Sequence, residues 1–349
     1  MKALRFKLIA LAYLGVSLLL PSCTCSEVDR TMFLSAVSGK AGEVEVIADK
    51  SLWNSEIGET LRTILSSEYP FLPQPEPAFN LLNISVESFS RLSAYQIHRN
   101  ILFVDVNATK YSEAKMTSQR DTWASPQIII KLTGPTSESI VSLLNEQKNR
   151  LWSLLEQAEV DRQSSNAQTY ADAQLGQMVR DKFGIRLSIP QGYRKNKPLG
   201  NPSDFMWFGY DTNRASTGIF VYSYPYTDTA QFSLKALNDK RQELLKQYVP
   251  SSREGSYMMT SPYVEPEYTP MTYKGTFIGR LRGLWRVHNG YMGGPFVAYS
   301  MIVGNKIVTV EGYVYAPKTE KRNYVRQMLG MLTTMVPEKQ AETNTSAEK

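Results

Sequence analysis

The sequence predicts a mixed α+β / α/β chain: two α/β sandwich domains joined by a long helical segment, the second with a mostly antiparallel sheet. Three observations carry this. Short apolar runs alternate with helix-period stretches through the first half, as in an α/β layer. An apolar stripe through Ile140, Leu143, Leu144, Leu151, Leu154, Leu155 and Ala158 marks a helical connector. Beyond Gly184, strand-like runs are joined by tight turns such as Gly304-Asn305, the pattern of an antiparallel sheet covered by helices.

Lys2, Arg5 and Lys7 precede an uncharged run from Leu8 to Leu20, closed by Leu20-Pro21-Ser22-Cys23. This positive, apolar, small order is that of a secretory signal. The run is shorter than the ~20 residues a spanning helix needs. The pattern resembles a bacterial lipobox, which implies a mature chain starting at a diacylated Cys23 and held on a membrane outside the cytoplasm. Thr24 supplies no inner-membrane retention aspartate, so the expected place is the outer membrane, on its periplasmic face rather than the cell surface. Residues 23–40 are small and polar and read as a tether.

The first domain is expected over 41–183. Glu43–Asp49 reads as a buried strand, and Ser51 as an N-cap before Trp53, Ile57, Leu61 and Ile64 at helical spacing. Tyr69–Pro77 is an extended connection, since proline removes donors and restricts its neighbour. Strands follow at Phe79–Ile84, Ile101–Val106 and Gln127–Thr133, with a short helix near Val86–Tyr95. From Ser137 to Phe183 the chain is helical, with a break expected near Ser164-Ser165-Asn166.

The second domain is expected over 184–337. Strands are predicted at Ile185–Ile189, Phe205–Tyr210, Gly218–Tyr226, Thr276–His288, Phe296–Val303 and Lys306–Tyr315. Helices are predicted at Leu234–Tyr248 and Lys318–Met335, and a Pro/Tyr loop at Pro250–Pro270. Residues 338–349 are polar and expected to be disordered.

Composition excludes several function classes. Without residues 1–22, which hold three basic residues and no acid, the formal charge falls from +6 to +3. No large Lys/Arg cluster accompanies it, so nucleic acid is not an expected partner. The two cysteines, Cys23 and Cys25, leave Cys25 unpaired if Cys23 is lipidated. The two histidines, His98 and His288, form no metal motif, and no hydrolase elbow or dinucleotide fingerprint occurs. No cofactor and no metal are expected. Ser112-Glu113-Ala114-Lys115 matches the start of a serine–lysine acyl enzyme but lacks its later elements, and is read as loop.

Strand parity places Arg280, Arg282, Leu284, Arg286 and His288 on one face, with Leu281, Gly283, Trp285 and Val287 on the core side. Like charges two residues apart lie ~7 Å from each other and call for water, carboxylates or an anion between them. The same parity aligns Glu311, Tyr313 and Tyr315. Fourteen of the 20 tyrosines lie between Tyr193 and Tyr315, so aromatic surface concentrates in the second domain. The expected site is therefore an anion-tolerant aromatic groove of Arg280, Arg282, Arg286, His288, Glu311, Tyr313 and Tyr315. The bland alternative is a solvated sheet face whose arginines pair with Glu311, Glu265 or Glu267. His98 at a strand edge reads as a general base or, more simply, as a paired or capping residue. Asn289–Pro295 is a glycine-rich hairpin turn. Asp228-Thr229-Ala230 resembles a short O-glycan acceptor.

Several stretches carry a family likeness. They are Gly39-Lys40-x-Gly42-Glu43, Leu72-Pro73-Gln74-Pro75-Glu76-Pro77, His98-Arg99-Asn100-Ile101 and Trp123-Ala124-x-Pro126-Gln127 in the first half. Arg282-Gly283-Leu284-Trp285, Met292-Gly293-Gly294-Pro295-Phe296 and Tyr313-Val314-Tyr315-Ala316-Pro317 follow in the second. Through them nearly all of the chain beyond residue 22 resembles an uncharacterised lipoprotein family of the Bacteroidota, domain of unknown function 4837. The resemblance implies an envelope lipoprotein with no assigned activity. By element order, the second half also resembles the α/β sandwich of Mog1-like and PsbP-like proteins, mostly binding or assembly modules. The expected function is a non-catalytic binding or assembly module meeting an envelope protein, a glycan or an anionic lipid. The alternative is an envelope glycan- or lipid-modifying enzyme using His98 or His288, with Glu311 as carboxylate.

Overall fold

The computed structural model describes residues 34–338. The expected signal segment 1–22, the lipidation site Cys23, Cys25 and the tail from 339 onward lie outside the described residues.

In the first domain, β1 (Glu43–Ile47), β2 (Asn80–Ile84), β3 (Asn100–Val106) and β5 (Ile128–Gly134) run parallel in the order β2-β1-β3-β5. The polar strand β4 (Lys115–Arg120) closes the edge antiparallel to β5. Lys115, expected in a loop, opens this strand and pairs with Glu113 at 3.0 Å. Val44 and Val46 face the main core, while Ile47 on the opposite side packs with Ile101, Ile129 and Phe89 of helix α2 (Val86–Arg91). Helix α1 (Glu56–Leu65) starts later than expected. Ser55, not Ser51, caps it by accepting the Ile57 N–H at 3.3 Å. Its buried face is Ile57, Leu61 and Leu65, each worth ~1.5–3 kcal/mol on removal from water. The end of the segment read as tether is tied down: Ser35–Ala36 pairs with Ala124–Ser125, and Ser38 exchanges backbone hydrogen bonds with Ile97 and Arg99.

Helix α3 (Ser137–Glu146) opens on a Thr136/Ser139 capping box. Helix α4 (Lys148–Thr169) follows and runs unbroken through Ser164-Ser165-Asn166. The expected break there is corrected by packing. Gly330 of helix α7 (Arg322–Leu332) crosses α4 so closely that a Cβ on it would lie 2.4 Å from Gln163 Cβ and 2.7 Å from Ser164 N. The small, polar stretch is thus a helix crossing rather than a hinge. Helix α5 (Ala173–Phe183) ends at Gly184, whose φ of 65° is the left-handed C-terminal stop.

The second domain is an antiparallel sheet. Strands β6 (Phe205–Asp211) and β7 (Ser216–Pro225) precede helix α6 (Leu234–Tyr248). Short β8 (Met258–Thr260) and β9 (Glu267–Tyr273) both pair with the outer edge of β10 (Thr276–Val287), which continues to β11 (Gly293–Val303) and β12 (Lys306–Tyr315). The order is β8/β9-β10-β11-β12-β7-β6, with Arg194–Lys195 beyond β6. Proline 270 is accommodated because β9 is an edge strand.

One sheet face packs on α6 through Phe205, Phe220, Trp285, Leu244 and Leu245. The other meets α7 and α4, and there the cores of the two domains fuse: Val44, Leu132, Leu155, Val310, Met328 and Leu332 belong to one cluster. Helix α4 is the spine between them, and its charges bind both sides. Glu159 accepts from Arg99, Asn100 and the Gly42 N–H in the first domain, at 2.8–3.1 Å. Glu156 takes two hydrogen bonds from Arg326 of α7, at 2.7 and 2.9 Å, and one from Tyr69 of the proline-rich connection at 2.6 Å. Glu76 of that connection caps α7 by accepting from the Lys321 and Arg322 N–H groups. The Tyr69–Pro77 segment therefore fastens the last helix to the first domain.

Candidate functional site

The structure does not gather the predicted groove residues on one face. Cross-strand register sets Leu281 opposite Ala298 and Ala298 opposite Glu311, so Glu311 and Tyr313 share the α6 side. Arg280 and Arg282 point the other way, beside Tyr299 and Val297. Parity within each strand was sound; the relation between strands depends on register.

Each residue has local work. Glu311 is fully buried and receives Arg241 Nε and Nη2 at 2.8 and 2.7 Å, while Arg241 Nη1 donates to Thr260 Oγ1 at 2.8 Å. Burial pushes the Glu311 carboxyl upward and the Arg241 charge works against it. Tyr313 accepts from Trp207 Nε1 at 2.9 Å and stacks on Phe220 at 4.9 Å, its ring over Gly218 where a Cβ would clash. Arg282, 7% exposed, lies over the rings of Tyr69 and Phe71 at 5.6 and 5.8 Å. Arg280 pairs with Glu267 at 3.6 Å, the bland alternative realised. Arg286 covers Tyr263 at 5.2 Å and His288 stacks on Tyr257 at 4.9 Å, both at the far end of the sheet. Tyr315 borders a surface depression described below.

His98 is 3% exposed. Its Nδ1 lies 3.1 Å from Asn100 O and its Nε2 3.8 Å from Glu43. Gly39, at φ 86°, closes over the ring; a Cβ there would sit 2.1 Å from Nε2. Burial lowers the His98 pKa, against the opposing pull of the Asn100 carbonyl and the Glu43 charge. Asp228 caps a single turn at 229–231 rather than standing free.

What the structure does bring together is a cavity of about 230 Å³ between the C-terminal half of α4, α7 and the open edge of the second sheet. Tyr170, Tyr193, Tyr210 and Tyr324 form its aromatic walls. Backbone hydrogen bonds from Asp172 to Ile189 and from Gln191 to Tyr170 fold the 189–193 turn against the end of α4. Gly192, at φ 95°, makes the turn and leaves room for Tyr210, whose ring a Cβ would approach to 3.0 Å. The Tyr193 and Tyr210 rings then lie 5.5 Å apart. Tyr193 hydroxyl is 2.9 Å from Thr217 Oγ1, and burial pushes its pKa up to about 12, so it stays protonated.

Four carboxamides line the same cavity: Gln163, Asn166, Gln191 and Gln327. Among the described residues none of these four side chains has a hydrogen-bond partner. No carboxylate, imidazole, amine, guanidinium or thiol is in the lining. The cavity shares Thr212 and Ala215 with a wider depression of about 550 Å³, bordered by Arg214, Lys318 and Tyr315. The chemistry available is aromatic contact and neutral hydrogen bonding, with positive charge alongside. Sequence reasoning missed this site because its parts come from positions 163 to 331. The one early signal was the tyrosine-rich second half and the Pro190-Gln191-Gly192-Tyr193 turn.

Among the described residues no group of His, Cys, Asp and Glu is arranged to hold a metal, and no helix is long and apolar enough to cross a membrane.

Residues 172–334 match the family model described as Domain of unknown function (DUF4837). Residues 37–168 match a different one, Domain of unknown function (DUF8532). The likeness to the first family is thus confined to the second half, and the motifs from Gly39 to Gln127 fall under the second model. No curated protein matches the chain. Among solved structures, cyanobacterial PsbP (CyanoP) from Synechocystis sp. PCC 6803 is distantly similar, with 11% identity and a TM-score of 0.32 over 48% of this chain and 90% of that one. The Saccharomyces cerevisiae Ran-binding protein Mog1p gives 12% and 0.28 over 44% and 90%.

Proposed function

We propose that this chain is a lipid-anchored cell-envelope protein of the Bacteroidota that works as a non-catalytic binding or assembly module. One observation carries the binding reading: a cavity is walled by tyrosines and unengaged carboxamides, with no carboxylate, imidazole, amine, guanidinium or thiol in its lining. Recognition without turnover is what such a lining supports. Of the arginines that suggested anion binding, Arg280 pairs with Glu267 and Arg282 lies over the Tyr69 ring. An acid/base role for His98 draws no support from a ring buried beneath Gly39, nor one for His288 from a ring stacked outside the cavity.

The anchor rests on the Leu20-Pro21-Ser22-Cys23 pattern, and an outer-membrane position facing the periplasm is part of the same proposal. Detergent-phase partitioning tests it: the native chain enters the detergent phase and Cys23→Ser stays in the aqueous phase. Equal partitioning of the two would refute the anchor. Binding is tested by incubating the protein with envelope extract and analysing what is retained. Saturable retention of an unchanged ligand, lost on Tyr210→Ala, is expected. Progressive conversion of the ligand would replace the module with an enzyme.

A further inference from the structure

The proposed binding role fixes no ligand, but the lining narrows its class. A charged group inside the cavity would be desolvated with no opposite charge to meet it. A purely apolar group would fill the space between the tyrosines yet leave Gln163, Asn166, Gln191 and Gln327 facing it unpaired. A ligand that uses both has apolar faces and a rim of groups that donate and accept. A pyranose ring has this form: C–H bonds project from its faces and hydroxyls from its edge. Carboxamides match hydroxyls because each offers donors and an acceptor. Tyr170 and Tyr210 present partly open rings at the mouth, 61% and 41% exposed. The volume, about 230 Å³, is below the ~300 Å³ at which ligand pockets begin, so one ring fits rather than a folded chain.

The adjoining depression adds a second requirement. Arg214 and Lys318 border it beside Tyr315, and no carboxylate lines it. Neither cation has an ion pair among the described residues. Thr212 and Ala215 belong to both hollows, so one extended ligand reaches from one to the other.

Resting on the binding-module reading, we infer that this site takes an oligosaccharide, with an uncharged pyranose unit in the tyrosine–carboxamide cavity and an anionic unit on the Arg214/Lys318 shelf.

Saturation-transfer NMR with two probes tests this: cellobiose, and the disaccharide in which one glucose is replaced by glucuronic acid. Both are expected to bind the native protein in the millimolar range, the acid about threefold to tenfold tighter at low salt. Tyr210→Ala and Gln327→Ala, at exposed positions that leave the core intact, should each weaken both probes by roughly threefold to tenfold. Arg214→Ala with Lys318→Ala should remove only the preference for the acid, as should 0.5 M salt. Arg286→Ala, at the far end of the sheet, should change nothing. Absence of signal from both sugars, or signal that survives Tyr210→Ala with Gln327→Ala, overturns the inference. Equal affinity for the two sugars overturns the charged shelf. If sugars fail while an unaltered peptide or lipid from the extract occupies the cavity, the ligand class is wrong and the binding module stands. A sugar consumed during the experiment overturns both.

Discussion

Glu156→Gln should loosen the joint between the two domains. Glu156 on α4 accepts Tyr69 Oη at 2.6 Å and Arg326 Nε and Nη2 at 2.9 and 2.7 Å. The Arg326 side chain is 1% exposed and its remaining partners are neutral, Ala78 O at 2.9 Å and Asn323 Oδ1 at 3.2 Å. Glutamine keeps the size but removes the charge, and turns one acceptor into an NH₂ group facing donors. Removing one member of a buried pair costs ~3–5 kcal/mol, because the other charge stays desolvated and unmatched. At ~2–4 °C per kcal/mol, Tm should fall by ~6 °C or more. Arg326→Met should cost a similar amount. Glu156→Leu with Arg326→Met removes both charges and should recover most of the loss, short of the ~1–3 kcal/mol left by the unpaired Tyr69 hydroxyl. Urea unfolding of Glu156→Leu, Arg326→Met and that double variant gives the coupling directly. A cost below ~1 kcal/mol for Glu156→Gln, or a double variant as unstable as the sum of the singles, would refute the latch.

Three further outcomes follow from the same structure. Glu311→Gln should destabilise by ~3–5 kcal/mol, since Arg241 at 0% exposure loses its carboxylate; thermal unfolding within ~1 kcal/mol of native would show the pair to be inert. Glu45 is 5% exposed with Oε2 unpartnered, and burial first, then the Glu43 charge, raises its pKa from 4.5 to about 7. The folded state therefore holds a proton that the unfolded state releases, and stability falls as pH rises from 4.5 through 7, by on the order of 3 kcal/mol. Glu45→Gln should flatten that slope in a pH series of unfolding curves; an unchanged slope would place the proton elsewhere. Gly330→Ala gains ~1 kcal/mol of helix propensity but sets a Cβ 2.6 Å from the Gln163 carbonyl carbon, so a net loss of ~1–3 kcal/mol is expected by calorimetry and a net gain would contradict the tight crossing.

The sequence made the layered α/β plan legible because buried strands are continuous apolar runs and helices carry capping residues. Leu234–Tyr248 and Lys306–Tyr315 stand where the pattern predicts. Strands that are half solvated were harder. Lys115–Arg120 buries only Met116, and Glu267–Tyr273 carries a proline, so neither has a sheet's usual signature. The candidate site was the least legible part. Parity sorted Arg282 from Trp285 within one strand, but only register shows Glu311 facing away from Arg282. The cavity's carboxamides and tyrosines are ordinary surface residues until α4, α7 and the 189–193 turn converge.

The most direct test of the central claim is an NMR titration of the isotope-labelled chain with envelope oligosaccharides, following protein and ligand in the same sample. Binding without turnover predicts saturable shifts at Tyr193, Tyr210 and Met331 while the ligand's own spectrum stays unchanged. Shifts confined to the Arg286 and His288 end of the sheet, or ligand signals that convert to product, would contradict it.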